Sequence, residues 1–126
     1  MNFSEYQALA RRTQNPKITL HDRKMHALHG LCSEVGEIHG IFQKYYQGHD
    51  VDYNELAAEM GDLMWFMAEL CDTIGISLEA VCEANIEKLR HRYPEGFDAE
   101  VSRSRYKGSV LDRLDSLIER LEDDKK

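Results

Sequence analysis

Apolar residues recur at intervals of three and four positions along most of the chain, a spacing typical of amphipathic helices. No segment of useful length shows the two-residue alternation of a half-buried strand. Breaks at Asn15-Pro16, residues 48–50, Gly75 and Pro94 divide the pattern into separate elements. They predict helices at about 4–14, from Thr19 to Gln47, from Asp52 to Ile74, from Ser77 to Arg92 and at 109–123, with an irregular arm at 95–108. The sequence therefore predicts an all-α bundle of four to five helices.

Each of the first four predicted helices begins with a side chain that can accept from free backbone N–H groups. The first three also place a polar or acidic residue three positions later, as in a capping box. These starts are Ser4 with Gln7, Thr19 with Asp22, Asp52 with Glu55, and Ser77.

The third predicted helix is apolar around nearly its whole circumference. Its apolar residues are Leu56, Met60, Leu63, Met64, Trp65, Phe66, Met67, Leu70, Cys71 and Ile74. A helix of this kind is buried on several sides, so it is either the central helix or part of a subunit interface. We therefore expect a homodimer or a homotetramer.

Two acidic pairs interrupt this apolar background, Glu34 with Glu37 on the second helix and Glu59 with Asp62 on the third. Each pair is spaced i, i+3, so its two carboxylates share one helix face. Helices joined by a short loop pack antiparallel, and both pairs lie at similar distances from the loop at 48–50. The two pairs are therefore expected to face each other.

Four carboxylates held together repel one another, and burying them unpaired is strongly unfavourable. A hard divalent cation removes this repulsion, and all-oxygen ligation favours Mg²⁺ or Mn²⁺. The alternative is that each pair forms a solvent-facing stripe. The apolar surroundings of Glu59 and Asp62 favour the metal site.

Gly36 lies inside the first acidic pair and Gly61 inside the second. A glycine in the middle of a helix is less favourable than alanine by about 1 kcal/mol. We expect close approach of the two helix backbones to offset this loss and to bring both pairs onto shared ions. An ordinary helix crossing without a site is the alternative.

Charge is unevenly distributed along the chain, whose formal net charge is −7. Residues 34–87 hold twelve Asp and Glu and one base, Lys44, whereas residues 88–107 hold six Lys and Arg and three acids. An acidic block followed by a basic cluster suits a site for cations and phosphates, although a solvated surface gives the same pattern. The net charge argues against nucleic-acid and membrane partners. The three cysteines form no CxxC pair and no apolar run spans a membrane, so we expect reduced thiols in a cytoplasmic protein.

Four motifs, in this order and spacing, resemble those of the MazG-like all-α nucleotide pyrophosphohydrolases. They are ALHGLCSEVGEIHG, ELAAEMGDLMWFMAEL, the stretch from Asn85 to Leu89, and Arg92-Tyr93-Pro94 with Phe97. The family usually has a glutamate where this chain has Ser33. The resemblance implies a MazG-like bundle at 1–105, with residues 106–126 as a C-terminal helical extension. It also implies Mg²⁺-dependent cleavage of a nucleoside triphosphate to the monophosphate and pyrophosphate.

The resemblance also implies roles for particular residues: the metal ligands Glu34, Glu37, Glu59 and Asp62, and the substrate-binding residues Asn85, Lys88 and Arg92. An acid that is not fully engaged by metal can act as general base, and we choose Glu37 for this role. Lys88 and Arg92 share a helix face and can hold the departing pyrophosphate. Solvated surface cations would show the same spacing.

The nucleobase requires an apolar, partly aromatic pocket. Phe66, one turn after the second acidic pair, is a candidate for it, as are Trp65 and His26. For each of the three, packing in the core is the alternative role. Glu69 and Asp72 repeat the acidic spacing, but they lie near a helix end, where solvated acids are common, and we leave them out of the site.

Two other functions remain compatible with a helical bundle of this length. A di-iron carboxylate protein would use Glu-x-x-His pairs, and no glutamate of this chain has a histidine three residues later. A non-catalytic helical module that binds nucleotides or a partner protein is the second alternative. Sequence alone does not separate it from the enzyme.

Overall fold

The computed structural model describes residues 1–105. Its helices are α1 (Phe3–Arg11), α2 (Leu20–Tyr46), α3 (Tyr53–Ile74) and α4 (Leu78–Arg92). Residues 99–105 are also helical, and the described part of the chain contains no strand. The all-α prediction is therefore confirmed. The helix predicted at 109–123 lies outside the described residues.

The irregular arm predicted at 95–108 is wrong in its middle part, because residues 99–105 are helical. Asp98 begins this segment by accepting hydrogen bonds at its Oδ1 from Glu100 N, at 2.7 Å, and from Val101 N, at 3.1 Å. A single Asp with no apolar repeat after it gives too weak a signal for a helix start.

The start of α1 also differs from the prediction. Asn2 is the N-cap: its Oδ1 accepts from Glu5 N at 2.8 Å, and Glu5 Oε2 accepts from Asn2 N at 2.9 Å. The predicted box of Ser4 and Gln7 is not used, because the Ser4 hydroxyl donates to the carboxylate of Glu79 and Gln7 is buried. Both side chains serve tertiary contacts instead.

The other predicted caps are confirmed. Thr19 Oγ1 accepts from Asp22 N at 3.0 Å, and Asp52 Oδ1 accepts from Asn54 N at 2.8 Å. Ser77 Oγ accepts from Ala80 N at 3.3 Å near the start of α4. At the other end of α3, Gly75 has φ of 69°, a left-handed conformation that a side chain would strain.

Helix α3 is the central helix, as its apolar circumference predicts, because it packs against both α2 and α1. Helices α2 and α3 form an antiparallel hairpin whose loop end is bridged by Lys44 Nζ and Glu55 Oε1, 3.5 Å apart. One buried cluster of the core consists of Ala10, Ala68, Cys71 and Leu78, with Tyr6, Met64, Trp65, Met67, Val81 and Cys82 packed around it. None of the described helices combines the length and apolar character that a membrane span requires.

The chain divides into two compact units, Met1–Glu83 and Ala84–Lys126. The first contains α1 to α3 and the beginning of α4. In the second, the end of α4 leads into a turn at Gly96, whose φ is 98°. There the rings of Tyr93 and Phe97 lie 5.7 Å apart. The domain boundary predicted after residue 105 stays a prediction.

Candidate metal and substrate site

The α2–α3 hairpin brings carboxylates from both helices together. Glu34 on α2 and Glu59 and Asp62 on α3 each place one oxygen within 4.8 Å of the others. Glu34 and Glu59 are half-buried and Asp62 is exposed. The i, i+3 spacing turns Glu59 and Asp62 to one face, and the antiparallel hairpin sets Glu34 opposite them. We call these three residues the carboxylate group.

The environment of Glu34 shows how closely the carboxylate group is packed. Burial raises the pKa of the Glu34 carboxyl, and a hydrogen bond with the carboxyl of Glu59 raises it further. The negative charges of Asp62, Glu59 and Glu37 act in the same direction. Protonation of one of these carboxyl groups would offset part of their repulsion. A cation bound by the same oxygens would do so more completely.

Glu37 does not belong to the carboxylate group, although the sequence places it beside the others. It is exposed, one turn after Glu34 on α2. Its charge nevertheless contributes to the raised pKa of Glu34, so the two carboxyls are close enough to interact. The predicted four-carboxylate cluster is therefore three close carboxylates with a fourth beside them.

The donor set fits a hard divalent cation. Three carboxylate oxygens at this separation can ligate one ion together, and oxygen donors of this kind suit Mg²⁺, Mn²⁺ and Ca²⁺ better than soft metals. Within residues 1–105, the residues that meet in this way include no histidine. The di-iron alternative therefore gains no support from the described part of the chain.

The predicted close approach at Gly36 and Gly61 is wrong. A Cβ at either position would have no neighbouring atom within 4 Å in the described structure. The close approach occurs instead at Gly30, which is buried and where a Cβ would overlap the ring of Phe66. The packing of α2 on α3 thus requires glycine at position 30, one turn before Glu34, because the Phe66 ring occupies the space of a side chain there. It does not require glycine beside the carboxylates.

The three predicted aromatic candidates lie next to one another. The His26 ring contacts Phe66 at a centroid distance of 5.4 Å and Trp65 at 6.2 Å, and the Trp65 and Phe66 rings are 5.0 Å apart. Trp65 Nε1 donates to Thr13 Oγ1 at 2.7 Å. Trp65 and Phe66 are half-buried and His26 is exposed, so the cluster combines core packing with a surface that a ligand can reach.

Glu69 is buried, whereas its position near the end of α3 predicts solvent exposure. Its side chain is hydrogen-bonded to His26, with Oε2 and Nδ1 2.7 Å apart. The available signal was its position between Ala68 and Leu70 in the most apolar helix.

Asp72 is also less exposed than expected, because α1 covers it. Its oxygens accept from Gln7 Nε2 at 2.8 Å, from Gln14 Nε2 at 2.9 Å and from Arg11 Nε at 3.1 Å. Burial raises the pKa of the Asp72 carboxyl, but the hydrogen bonds from Arg11, Gln7 and Gln14 and the charge of Arg11 outweigh it, so the pKa lies below its usual range. Gln7 Oε1 also accepts from Leu78 N at 2.8 Å, which ties α1 to the start of α4.

Tyr6 is a neighbour of the carboxylate group that the sequence analysis did not identify. Burial raises the pKa of its phenol, and the negative charge of Asp62 raises it further. Its hydroxyl donates to the Gly61 carbonyl at 3.5 Å. Beside it is an apolar cavity of about 330 Å³, lined by Met1, Asn2, Phe3, Tyr6, Gly61 and Met64.

The predicted phosphate-binding residues belong to the second unit. Asn85, Lys88 and Arg92 lie on α4 at spacings of three and four, so they share one helix face. Asn85 and Lys88 are exposed, and Arg92 is half-buried with its guanidinium 6.0 Å from the centre of the Tyr93 ring. Their roles stay predictions.

Comparison with known proteins identifies a match to one protein family. The profile of the MazG nucleotide pyrophosphohydrolase domain matches residues 23–97. The Gene 37 protein of Mycobacterium phage L5 is 33% identical over 72 residues, which are 53% of this chain and 63% of the phage protein. Uncharacterized protein YvdC of Bacillus subtilis strain 168 is 36% identical over 73 residues, which are 50% of this chain and 69% of that protein. No solved structure matches the chain significantly.

Proposed function

Because the chain belongs to the MazG nucleotide pyrophosphohydrolase family, we propose that it hydrolyses a nucleoside triphosphate to the monophosphate and pyrophosphate. The substrate we propose is a deoxynucleoside triphosphate or a modified nucleotide. The cofactor we propose is Mg²⁺, with Mn²⁺ as a substitute. The observation that carries the proposal is the carboxylate group, whose oxygens from two helices meet within 4.8 Å inside the matched region.

The proposed step is attack by a water oxygen on the α-phosphorus. The bond from that phosphorus to the oxygen shared with the β-phosphate breaks, and this oxygen leaves with pyrophosphate. Glu34, Glu59 and Asp62 would hold Mg²⁺, which would supply positive charge to offset that of the phosphates and would lower the pKa of a bound water. We propose that Glu37 is the general base that accepts the proton of this water. Glu37 does not belong to the carboxylate group, so it stays available when that group holds a cation.

Other residues of the chain would bind the two ends of the substrate. Lys88 and Arg92, with Asn85, offer donors and positive charge to the leaving pyrophosphate. The aromatic cluster of His26, Trp65 and Phe66 offers ring faces and a polar ring nitrogen to the nucleobase. Phe66 follows Asp62 by one turn of α3, which suits a base bound next to a metal-held phosphate.

Product analysis tests the proposal. The purified chain should convert at least one nucleotide in a panel of canonical and modified triphosphates to the monophosphate and pyrophosphate, and only with divalent metal. In H₂¹⁸O the label should enter the monophosphate, because attack is at the α-phosphorus. Glu59→Gln is the matched inactive control. Release of the diphosphate and orthophosphate would overturn the assignment, and nucleotide binding without turnover would identify a non-catalytic binding module.

A further inference from the structure

Glu69 has no part in the reaction proposed above, yet its burial requires an explanation. The residue is 0% exposed, and its Oε1 has no hydrogen-bond partner within the described structure. A buried carboxyl group with one unpaired oxygen destabilises a fold, and an apolar side chain of similar volume would remove that loss. Fold stability therefore does not explain a glutamate at this position.

Within residues 1–105, the one hydrogen-bond partner of the Glu69 side chain is a histidine that is open on its other side. Glu69 Oε2 lies 2.7 Å from His26 Nδ1, and the side chains are 1% and 52% exposed, respectively. An ionised carboxylate can only accept hydrogen bonds, so it holds a proton on Nδ1 and fixes the plane of the ring. The nitrogen left for any ligand is then Nε2.

The position of His26 relative to the carboxylate group places the Glu69–His26 pair near the proposed nucleotide site. His26 precedes Glu34 by two turns of α2, about 12 Å along the helix axis, and the ring of Phe66 lies against Gly30 between them. We infer that Glu69 is a positioning residue, which holds the His26 ring so that Nε2 is presented to the base of the bound nucleotide beside Trp65. This inference rests on the proposed function.

The decisive variant is Glu69→Gln. It keeps the shape of the side chain, but its amide group can donate as well as accept hydrogen bonds. A glutamine amide can donate to Nδ1, so the ring proton is free to move to Nε2. Nitrogen-15 spectra of the imidazole should show His26 with its proton on Nδ1 in the wild type and a changed tautomer in the variant. For the preferred nucleotide we expect KM to rise about three- to tenfold, the effect of one hydrogen bond, with kcat nearly unchanged. Discrimination between bases should fall by a similar factor.

Asp72→Asn is the matched control, because it alters another largely buried carboxylate on α3 that is bonded to α1 rather than to His26. It should lower stability and leave both the His26 spectrum and base discrimination unchanged. If Glu69→Gln behaves in the same way, the inference is overturned.

A nonhydrolysable triphosphate analogue separates this inference from the proposed function. Its addition to the wild type should shift the Nε2 resonance of His26, whether or not the chain turns over nucleotides. A wild type that hydrolyses no nucleotide contradicts the proposed function. A bound analogue that leaves Nε2 unperturbed contradicts the role of Glu69 and His26.

Discussion

At the scale of single residues, the carboxylate group is unfavourable without a counter-ion, since burial and then neighbouring carboxyls raise the pKa of Glu34. Removing one charge by Glu34→Gln, Glu59→Gln or Asp62→Asn should therefore leave the metal-free protein as stable as the wild type or more stable. The same variants should lose turnover and the stabilisation that Mg²⁺ gives the folded state. Thermal unfolding in EDTA and in millimolar Mg²⁺ measures both effects.

Glu37→Gln separates a metal ligand from a general base. Because Glu37 lies outside the carboxylate group, this variant should keep the metal-dependent rise in melting temperature and lose turnover. If the variant loses both the metal-dependent rise and turnover, Glu37 is a metal ligand and the general base is a different group. A wild type that neither Mg²⁺ nor Mn²⁺ stabilises would argue against the metal site itself.

Asp72 gives a pH dependence whose sign follows from its lowered pKa. The charged form is favoured in the folded state, so its stabilisation is complete above the ordinary aspartate pKa and is lost as pH falls through the folded-state value. Asp72→Asn should therefore lower the free energy of unfolding at pH 7 by about 1.5–3 kcal/mol, typical of hydrogen bonds to a charged group. Urea unfolding at pH 7, 5 and 3.5 should show the difference between wild type and variant shrinking toward acid. A constant difference would mean that the loss is one of packing.

At the scale of helices, the fit between α2 and α3 depends on Gly30. Gly30→Ala should destabilise the chain, because its Cβ would overlap the Phe66 ring. Gly61→Ala should be neutral or stabilise by up to about 1 kcal/mol, since nothing in the described structure lies within 4 Å of that Cβ and alanine favours helix. A smaller residue at position 66 should restore the stability of Gly30→Ala in a double-mutant cycle measured by urea unfolding. Equal effects at positions 30 and 61 would contradict this account.

Helix positions and the meeting of α2 with α3 could be predicted because they follow from periodicity and a short loop. The three-residue spacing of Glu59 and Asp62, together with the antiparallel hairpin, already sets them opposite Glu34. The contact of Gly30 with Phe66 and the pairing of Glu69 with His26 could not be predicted in this way. Both depend on the rotation of one helix against the other, which side-chain packing sets and a single sequence does not reveal.

At the scale of the whole molecule, α2 is apolar on two sides. One side packs on α3 through the buried residues Ala27, Gly30 and Ile41. The other carries exposed residues spaced by three and four positions: Met25, Leu28, Cys32, Val35, His39, Phe42 and Tyr46. Residues at this spacing form the contact line between the helices of a coiled coil. The apolar circumference of α3 predicts that this helix supplies the surplus apolar face, whereas the longer exposed stripe of the described residues is on α2.

We propose that this stripe is covered by the same stripe of a second chain. From residue 25 to residue 46 it extends about 32 Å along the helix, and a self-complementary partner matches its whole length. The apolar repeat in the C-terminal sequence runs only from residue 110 to residue 121, which is a shorter run of residues than the stripe. A second copy therefore matches more of the stripe than this segment can.

Charged residues within the stripe should accordingly dissociate the assembly. Val35→Glu together with Phe42→Glu would bury two carboxylates in the contact line, so light scattering should give a mass near the 14.6 kDa of one chain. The wild type should give at least twice that mass. Met60→Glu is the matched control, an exposed apolar position on α3 outside the stripe, and should leave the assembly intact. Dissociation by Met60→Glu alone would indicate that the interface lies on α3. If a chain truncated after residue 105 stays assembled, residues 106–126 are not what covers the stripe.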